Sequence, residues 1–360
     1  MEVKLVSYKL QMPAVKGMQC GREYYTIIVP FSLLPKLFYY NEELVPAELR
    51  AQRELNERRV PEIASYILHN DDWVFSSLTA TVDGDMEFVP ANPELPDVGV
   101  LEVDMNANFF INDGQHRRAG IIEAMQQNPM LKNETISVVI FRYEGVERSN
   151  QMFADLNRYA QKPTKSLNVL YDSRDPLSQA TGEMLRRIDL FRDYTDKDRV
   201  SLAARSPKLF TLASLYEANR YMLRITRRKL REFSKEDGEK IISFWEAVIR
   251  HMPLWQAVGR GDMKPWELRE DHVCSHSVVI QALGIMGSYL VNQEQWEALK
   301  NLEEIDWRRI NREWKGIIIA GSGRVVNSKP VAQLTSIFLR KKLGLAISAA
   351  EEKQLVQVRE

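Results

Sequence analysis

The period of the apolar residues changes partway along the chain, and this constrains the fold more than any single motif. Up to about residue 170 they come in short β-branched or aromatic runs, broken by turn signals and by helix-forming stretches. Glu23 to Phe31 (EYYTIIVPF) reads as a strand stopped by Pro30, and Pro46 to Asn70 as helix, with Pro61 opening a second segment. Short strands are expected at Val74 to Val82, Met86 to Val89, Gly99 to Val103 and Asn108 to Ile111. Between them lie the Asp83-Gly84-Asp85 turn and a loop punctuated by Pro90, Pro93 and Pro96. Helix follows at Gly114 to Gln127, strand at Thr135 to Tyr143 and helix at Glu147 to Ala160. Beyond about Pro176 the period becomes 3.6, over Leu209 to Phe233, Glu236 to His251, Val273 to Val291 and Gln293 to Leu302. The pattern predicts an α+β chain with an α/β domain over residues 1–170 and a mainly helical domain over 171–360. A length of 360 residues agrees, because a single core stops growing at about 250–300.

Composition excludes several classes. With 44% hydrophobic and 27% charged residues the chain is neither a disordered tail nor a fibre. The most apolar stretch, Ser275 to Val291, contains His276 and Gln281, so no spanning helix is expected. The first residues, MEVKLVSYKLQMP, lack the three regions of a secretory signal. Only Cys20 and Cys274 are present, which gives no disulfide framework and makes the reducing cytoplasm the expected compartment. Lys plus Arg and Asp plus Glu number 49 each, so a polyanionic partner has to be sought in local charge.

Chemistry concentrates at Asn112-Asp113-Gly114-Gln115-His116-Arg117-Arg118, between an apolar strand end and the helical run AGIIEAM. The unpaired N–H groups and partial positive charge of a helix start hold anions, and Arg117 and Arg118 in the first turn would strengthen that preference. Gly114 permits a positive φ, Asp113 could orient an arginine or a metal-bound water, and His116 titrates near neutrality. The competing reading makes Asp113 an N-cap, Gln115 and His116 solvated, and both arginines members of surface ion pairs.

The string FFINDGQHRRAGI resembles the signature of the DGQHR-domain proteins, distant relatives of the ParB and sulfiredoxin nucleotide-binding fold. Within them the resemblance is greatest to the DndB family associated with DNA phosphorothioation. It extends through Cys20-Gly21-Arg22, Gln52-Arg53, Arg58-Arg59, Ile63, Tyr66 and MFADLNRYAQKPTKSLNVLYD from Met152. The resemblance implies a ParB-like N-terminal domain and a negative transcriptional regulator that binds the promoter DNA of the sulfur-modification genes. It also implies a phosphate or nucleotide site formed by Gly114, Gln115, His116, Arg117 and Arg118 with Arg53, Arg58 and Arg59, which would take a nucleoside triphosphate with Mg2+. An enzyme of that type, a nucleoside triphosphatase or DNA nickase, would use Asp113, Gln115, His116 and Arg117. A third reading is a non-catalytic scaffold for other phosphorothioation proteins.

Arg53, Arg58 and Arg59 could clamp a phosphate, or pair with Glu54, Glu57 and Glu62 on a solvated helix. Asp155, Asn157, Arg158, Lys162 and Lys165 offer weaker candidates, equally consistent with an ordinary connection. From Arg199 to Arg231 there are nine Lys or Arg against the single acid Glu217, a local net charge of +8. On one continuous helix, Arg220, Arg224, Arg227, Arg228 and Arg231 would fall within an arc of roughly 100°. Leu212, Leu215, Tyr216, Met222, Leu223, Leu230 and Phe233 gather on the other side. Like charges at that spacing repel, so such a face points to an anionic partner, here double-stranded DNA, with intramolecular ion pairs or an acidic protein as alternatives. A second basic region holds Arg308, Arg309, Arg312, Lys315, Arg324 and Lys329 around Trp307 and Trp314, whose rings are expected in the core.

Other strings are weaker. His272-x-Cys274-x-His276 has too few ligands for zinc, so no metal is expected. Gly321-Ser322-Gly323-Arg324 reads as a glycine turn and Cys20 as a packed residue or a cation-activated thiol. A homo-oligomer is expected, because regulators match two-fold operators with two-fold symmetry.

Overall fold

A computed structural model describes residues 8–38, 59–158, 163–226, 229–230 and 232–358. Pro46 to Arg58, with Arg53 and Arg58, and the later Arg227, Arg228 and Arg231 lie outside the described residues, so the expectations placed on them do too. The chain divides into two compact units, one up to Gln161 and one from Lys162.

The first unit is a seven-stranded mixed sheet with helices. Strands β1 (Lys9–Gln19), β2 (Arg22–Pro30), β3 (Leu78–Asp83), β4 (Met86–Asn92), β5 (Leu95–Asp104), β6 (Asn108–Asp113) and β7 (Thr135–Arg142) lie in the order β4-β5-β1-β2-β7-β3-β6. All neighbours are antiparallel except β3 and β7. Alternation sends Tyr25, Ile27 and Val29 of β2 inward and leaves Ile28 exposed, so a slip of one residue would turn that buried set outward. The turn joining β1 to β2 is Cys20-Gly21, both at positive φ (49° and 73°), the conformation a two-residue hairpin requires.

Two expectations need correction. The Pro-punctuated loop is instead the β4–β5 hairpin: Pro90 lies in β4 at the sheet edge, beside a register shift, where a missing N–H is tolerated. The expected strand from Val74 begins only at Leu78, because the preceding residues leave the sheet and anchor the DGQHRR turn.

Helices Val60–Leu68 and Gln115–Gln127 share the apolar core with this sheet. They cross closely because Gly120 has no side chain: a Cβ there would lie 2.4 Å from Ile63. Phe110 points the other way from Ile111 and packs with Tyr143 and Val146, where helix Val146–Arg158 begins.

The second unit is largely helical around one apolar core. Phe191, Phe210, Phe244, Trp245 and Trp255 meet edge to face at about 5 Å inside it. Buried Asn219 accepts from Trp245 Nε1 at 2.7 Å and donates to Thr181 at 3.0 Å, so its amide is satisfied on both sides. Helix Ser277–Gly287 packs against Leu212–Met222 and Lys329–Lys342, and at Gly284 the backbone of Ala218 comes within 2.2 Å of where a Cβ would stand. Trp307 and Trp314 are buried and stacked at 5.5 Å, as expected of core rings.

The continuous helix expected over Leu209 to Phe233 is also corrected, since the helix runs from Leu212 to Met222 and stops. Ile225 N–H donates to the Arg220 carbonyl (2.9 Å) and Arg224 N–H to that of Tyr221 (3.0 Å), with Arg224 at φ 51°. Those bonds form a left-handed helix end, normally occupied by glycine. Arg220 therefore lies in this helix and Arg224 beyond its end, while Arg227, Arg228 and Arg231 lie outside the described residues. Among the described residues no helix is long and apolar enough to cross a membrane.

Candidate functional site

The DGQHRR turn is built by a bulge and a glycine. Ala80 pairs with Ile111 but Thr79 with Asp113, so Asn112 is an extra residue in β6, buried, its Oδ1 without a hydrogen bond among the described residues. Gly114 then takes φ 98° as the helix N-cap, and a Cβ there would meet Leu78 at 2.4 Å. Asp113 is not the cap: its carboxylate pairs instead with Arg117, one turn along.

Arg117 is fully engaged inside the fold. Its Nη1 donates to the carbonyls of Ser76 (2.9 Å) and Ser77 (3.1 Å) and to the Ser76 hydroxyl, and Nη2 donates to Asp113. Gln115 turns back to the Ile111 carbonyl at 3.3 Å. Arg118 differs: it is half-buried, burial lowers its pKa, and its Nε has no hydrogen-bond partner among the described residues. Burial, and secondarily the charge of Arg59, push the His116 imidazole below its ordinary value and keep it neutral at pH 7. The turn thus brings His116 and Arg59 within electrostatic reach of each other and turns Arg117 into a brace. Among the described residues no group of three His, Cys, Asp or Glu is placed to hold a metal ion. His276 donates its Nε2 proton to the Arg269 carbonyl (3.1 Å) and Cys274 is buried in the core.

The second unit gathers charge differently. A cavity of about 250 Å3 is lined by Arg220, Tyr221, Arg224, Ile225, Tyr289 and Lys329, with no carboxylate in its wall among the described residues. Arg224 is exposed, donates to the Ser288 carbonyl at 3.2 Å and lies 5.1 Å from the Tyr289 ring centre; neither partner cancels its charge. Buried Arg340 sits 3.8 Å from the same ring centre and pairs with Glu351, so Tyr289 carries two guanidiniums of which one is neutralised. Arg220 is partly neutralised by Glu217 at 2.6 Å. Burial would raise the Glu217 carboxyl, yet bonds from Arg220 and Lys165 outweigh it and hold the group below its usual range. Lys329 opens helix Lys329–Lys342 and is exposed.

Sequence reasoning identified Arg220 and Arg224 but not their neighbours Lys329, Tyr221 and Tyr289. Lys329 had been grouped with the weaker basic region, and its separation of 105 positions from Arg224 leaves no local signal. Arg309 of that region instead donates to the carbonyls of Glu270 and Gly323, 3.2 Å each.

No curated protein and no solved structure matches the chain significantly. The profile of the DndB family, described as DNA-sulfur modification-associated, matches residues 12–346, which include both the turn and the basic cavity. With nearly its whole length covered, the chain belongs to the DndB family of DNA-sulfur modification-associated proteins.

Proposed function

We propose that this protein is a cytoplasmic, DNA-binding negative regulator of the phosphorothioation genes, which engages promoter DNA through the basic cavity of its helical unit. The carrying observation is the convergence of Arg220, Arg224 and Lys329 on one cavity whose wall, among the described residues, holds no acid. Arginine and lysine neutralise DNA phosphates and release counterions, and phosphate contacts fix a protein's register on the duplex. Arg227, Arg228 and Arg231, which follow in the sequence and lie outside the described residues, would extend that contact. Family membership supplies the link to DNA sulfur modification, and two copies on a two-fold operator fit the mode of such regulators.

The DGQHRR turn fits a nucleotide or phosphate sensor better than an enzyme, because Arg117, the residue an enzyme would place on the scissile phosphate, is held by Ser76, Ser77 and Asp113. A nucleoside triphosphate with Mg2+ would be the modulator there, and other phosphorothioation proteins the secondary partners.

The deciding experiment measures affinity for DNA from upstream of the protein's own gene against scrambled DNA of equal length, across a salt series. A preference of about 10³ or more with a steep salt slope supports the reading. Weak binding blind to sequence rejects it.

A further inference from the structure

A second cluster of arginines stands apart from both sites. In the sheet, Asp113 lies opposite Thr79, itself beside Val139, whereas Arg142 lies beside Val82. Arg142 is therefore at the other end of the strands from the DGQHRR turn. At that end the Cys20-Gly21 hairpin, the end of β7 and the start of helix Val146–Arg158 enclose a cavity of about 210 Å3.

Three arginines line it, Arg22, Arg142 and Arg148. Arg142 donates to the Met86 carbonyl at 2.9 Å, which leaves its charge uncancelled. Arg148 Nε is buried and has no hydrogen-bond partner among the described residues. Two carboxylates share the wall, and both are partly answered. Glu144 accepts from Arg22 Nε at 3.0 and 3.3 Å, while Glu23 accepts from the Tyr25 hydroxyl at 2.6 Å and lies 3.8 Å from Lys16. Burial, helped by Glu23, raises the Tyr25 phenol to about 12, so it stays a donor at neutral pH. Three arginines thus face two carboxylates around a space walled otherwise by Tyr25, Phe141, Met86 and Met152.

A buried guanidinium N–H without an acceptor is costly, and the forked donors of arginine match a tetrahedral oxyanion. The volume lies below the roughly 300 Å3 at which pockets for organic ligands begin, so it suits a phosphate-sized group and not a whole nucleotide. We propose that this cavity is an oxyanion site in which Arg148 and Arg142, with Arg22 at the mouth, hold one phosphate or sulfate group. The site is independent of the DNA-binding reading, since neither the turn nor the basic cavity contributes to it.

The test is the thermal midpoint of the full chain titrated with inorganic phosphate and with sulfate, against chloride at matched ionic strength. A ligand bound only by the folded state raises Tm continuously with the logarithm of its concentration beyond Kd. Wild type should show that rise, as should Arg118→Ala and Arg224→Ala, which alter the other two candidate sites. Arg148→Ala should need about ten- to a hundredfold more phosphate, the fold-change for losing a hydrogen bond to a charged group worth roughly 1.5–3 kcal/mol. Arg22→Gln, at an exposed position, should weaken binding less and serves if Arg148→Ala does not fold. A parallel arm separates the sources of the anion. If Arg148→Ala also lowers duplex affinity and reduces its salt slope by about 0.9, the group is a DNA phosphate; if duplex binding is unchanged, it is a free oxyanion. The proposal is overturned if phosphate and sulfate shift Tm no more than chloride, or if the shift survives both Arg148→Ala and Arg22→Gln.

Discussion

Arg117 of the DGQHRR turn and Arg224 beside Tyr289 are alike in composition and opposite in circumstance. Arg117 sits in the most recognisable string of the chain, yet its guanidinium bonds to protein oxygens: two carbonyls, a hydroxyl and a carboxylate. Arg224 sits in a stretch whose helical pattern misleads, and its guanidinium meets a carbonyl and a ring while its charge stays available to solvent. The difference teaches that an arginine's use follows from what its folded neighbours offer: acceptors in the first case, an aromatic face and no carboxylate in the second. A conspicuous motif marks where the backbone is demanding, whereas an exposed guanidinium held only by a carbonyl and a ring marks where a polyanion can land.

The strongest way to break this comparison is to reverse charge in the cavity. Arg224→Glu with Lys329→Glu should cost about a hundredfold or more in DNA affinity, taking roughly 1.5–3 kcal/mol for each lost hydrogen bond to a charged group. The log–log salt slope should flatten by roughly two, at about 0.9 per phosphate contact. Fluorescence anisotropy across a salt series reads both quantities, and an unchanged slope would mean that DNA does not touch this cavity.

The histidines extend the comparison to acid. Burial lowers the His276 pKa to about 4, so the unfolded chain takes up its proton first, near 6.5. The stability this contributes is intact above about pH 6.5 and is lost as pH falls towards 4, roughly 3 kcal/mol in all. Urea midpoints at neutral and acid pH should show that loss, and His276→Gln, which keeps a donor for the Arg269 carbonyl, should remove most of it. His116 shifts in the same direction but with Arg59 as a second cause, so an anion bound at the turn should raise its pKa where His276 stays put. NMR titration of the two imidazoles separates them.

Arg117→Ala should lower stability by about 2 kcal/mol, because it strips acceptors at Ser76 and Ser77 and leaves Asp113 unpaired. Its DNA salt slope should match wild type. A slope flattened as much as by the cavity reversal would overturn the contrast between brace and contact.

How much of this was legible in the sequence depends on how far apart the cooperating residues lie. The strand, glycine and helix of the turn are contiguous, so its backbone could be read directly, including the positive φ at Gly114. The brace could not, since Ser76 and Ser77 stand about forty positions upstream. Strand β1 went unread because Pro13 and Gly17 interrupt its pattern, although it lies between β5 and β2 inside the sheet. Gly17 makes sense only across the strands: it pairs with Tyr24, whose ring would lie 2.3 Å from a Cβ there. The buried helical faces were legible from their period, as Leu212, Leu215, Met222 and Leu223 confirm. The helix end after Met222 was not, because no glycine or proline announces it.

That unannounced end yields the smallest and most discriminating prediction. A non-glycine residue in the left-handed region costs roughly 1–2 kcal/mol, and Arg224 carries that cost at a position where glycine is the usual occupant. Against it stand the bond to Ser288 and the contact with Tyr289, the latter worth about 0.5–1 kcal/mol at an exposed site. Arg224→Gly should therefore leave stability unchanged or raise it by up to about 1 kcal/mol, while DNA affinity falls and the salt slope loses about 0.9. Opposite signs in the urea midpoint and the binding curve would identify Arg224 as a residue kept for contact at the expense of the fold. A clear loss of stability with DNA binding intact would make it a structural cap and return the cavity to the status of Arg117.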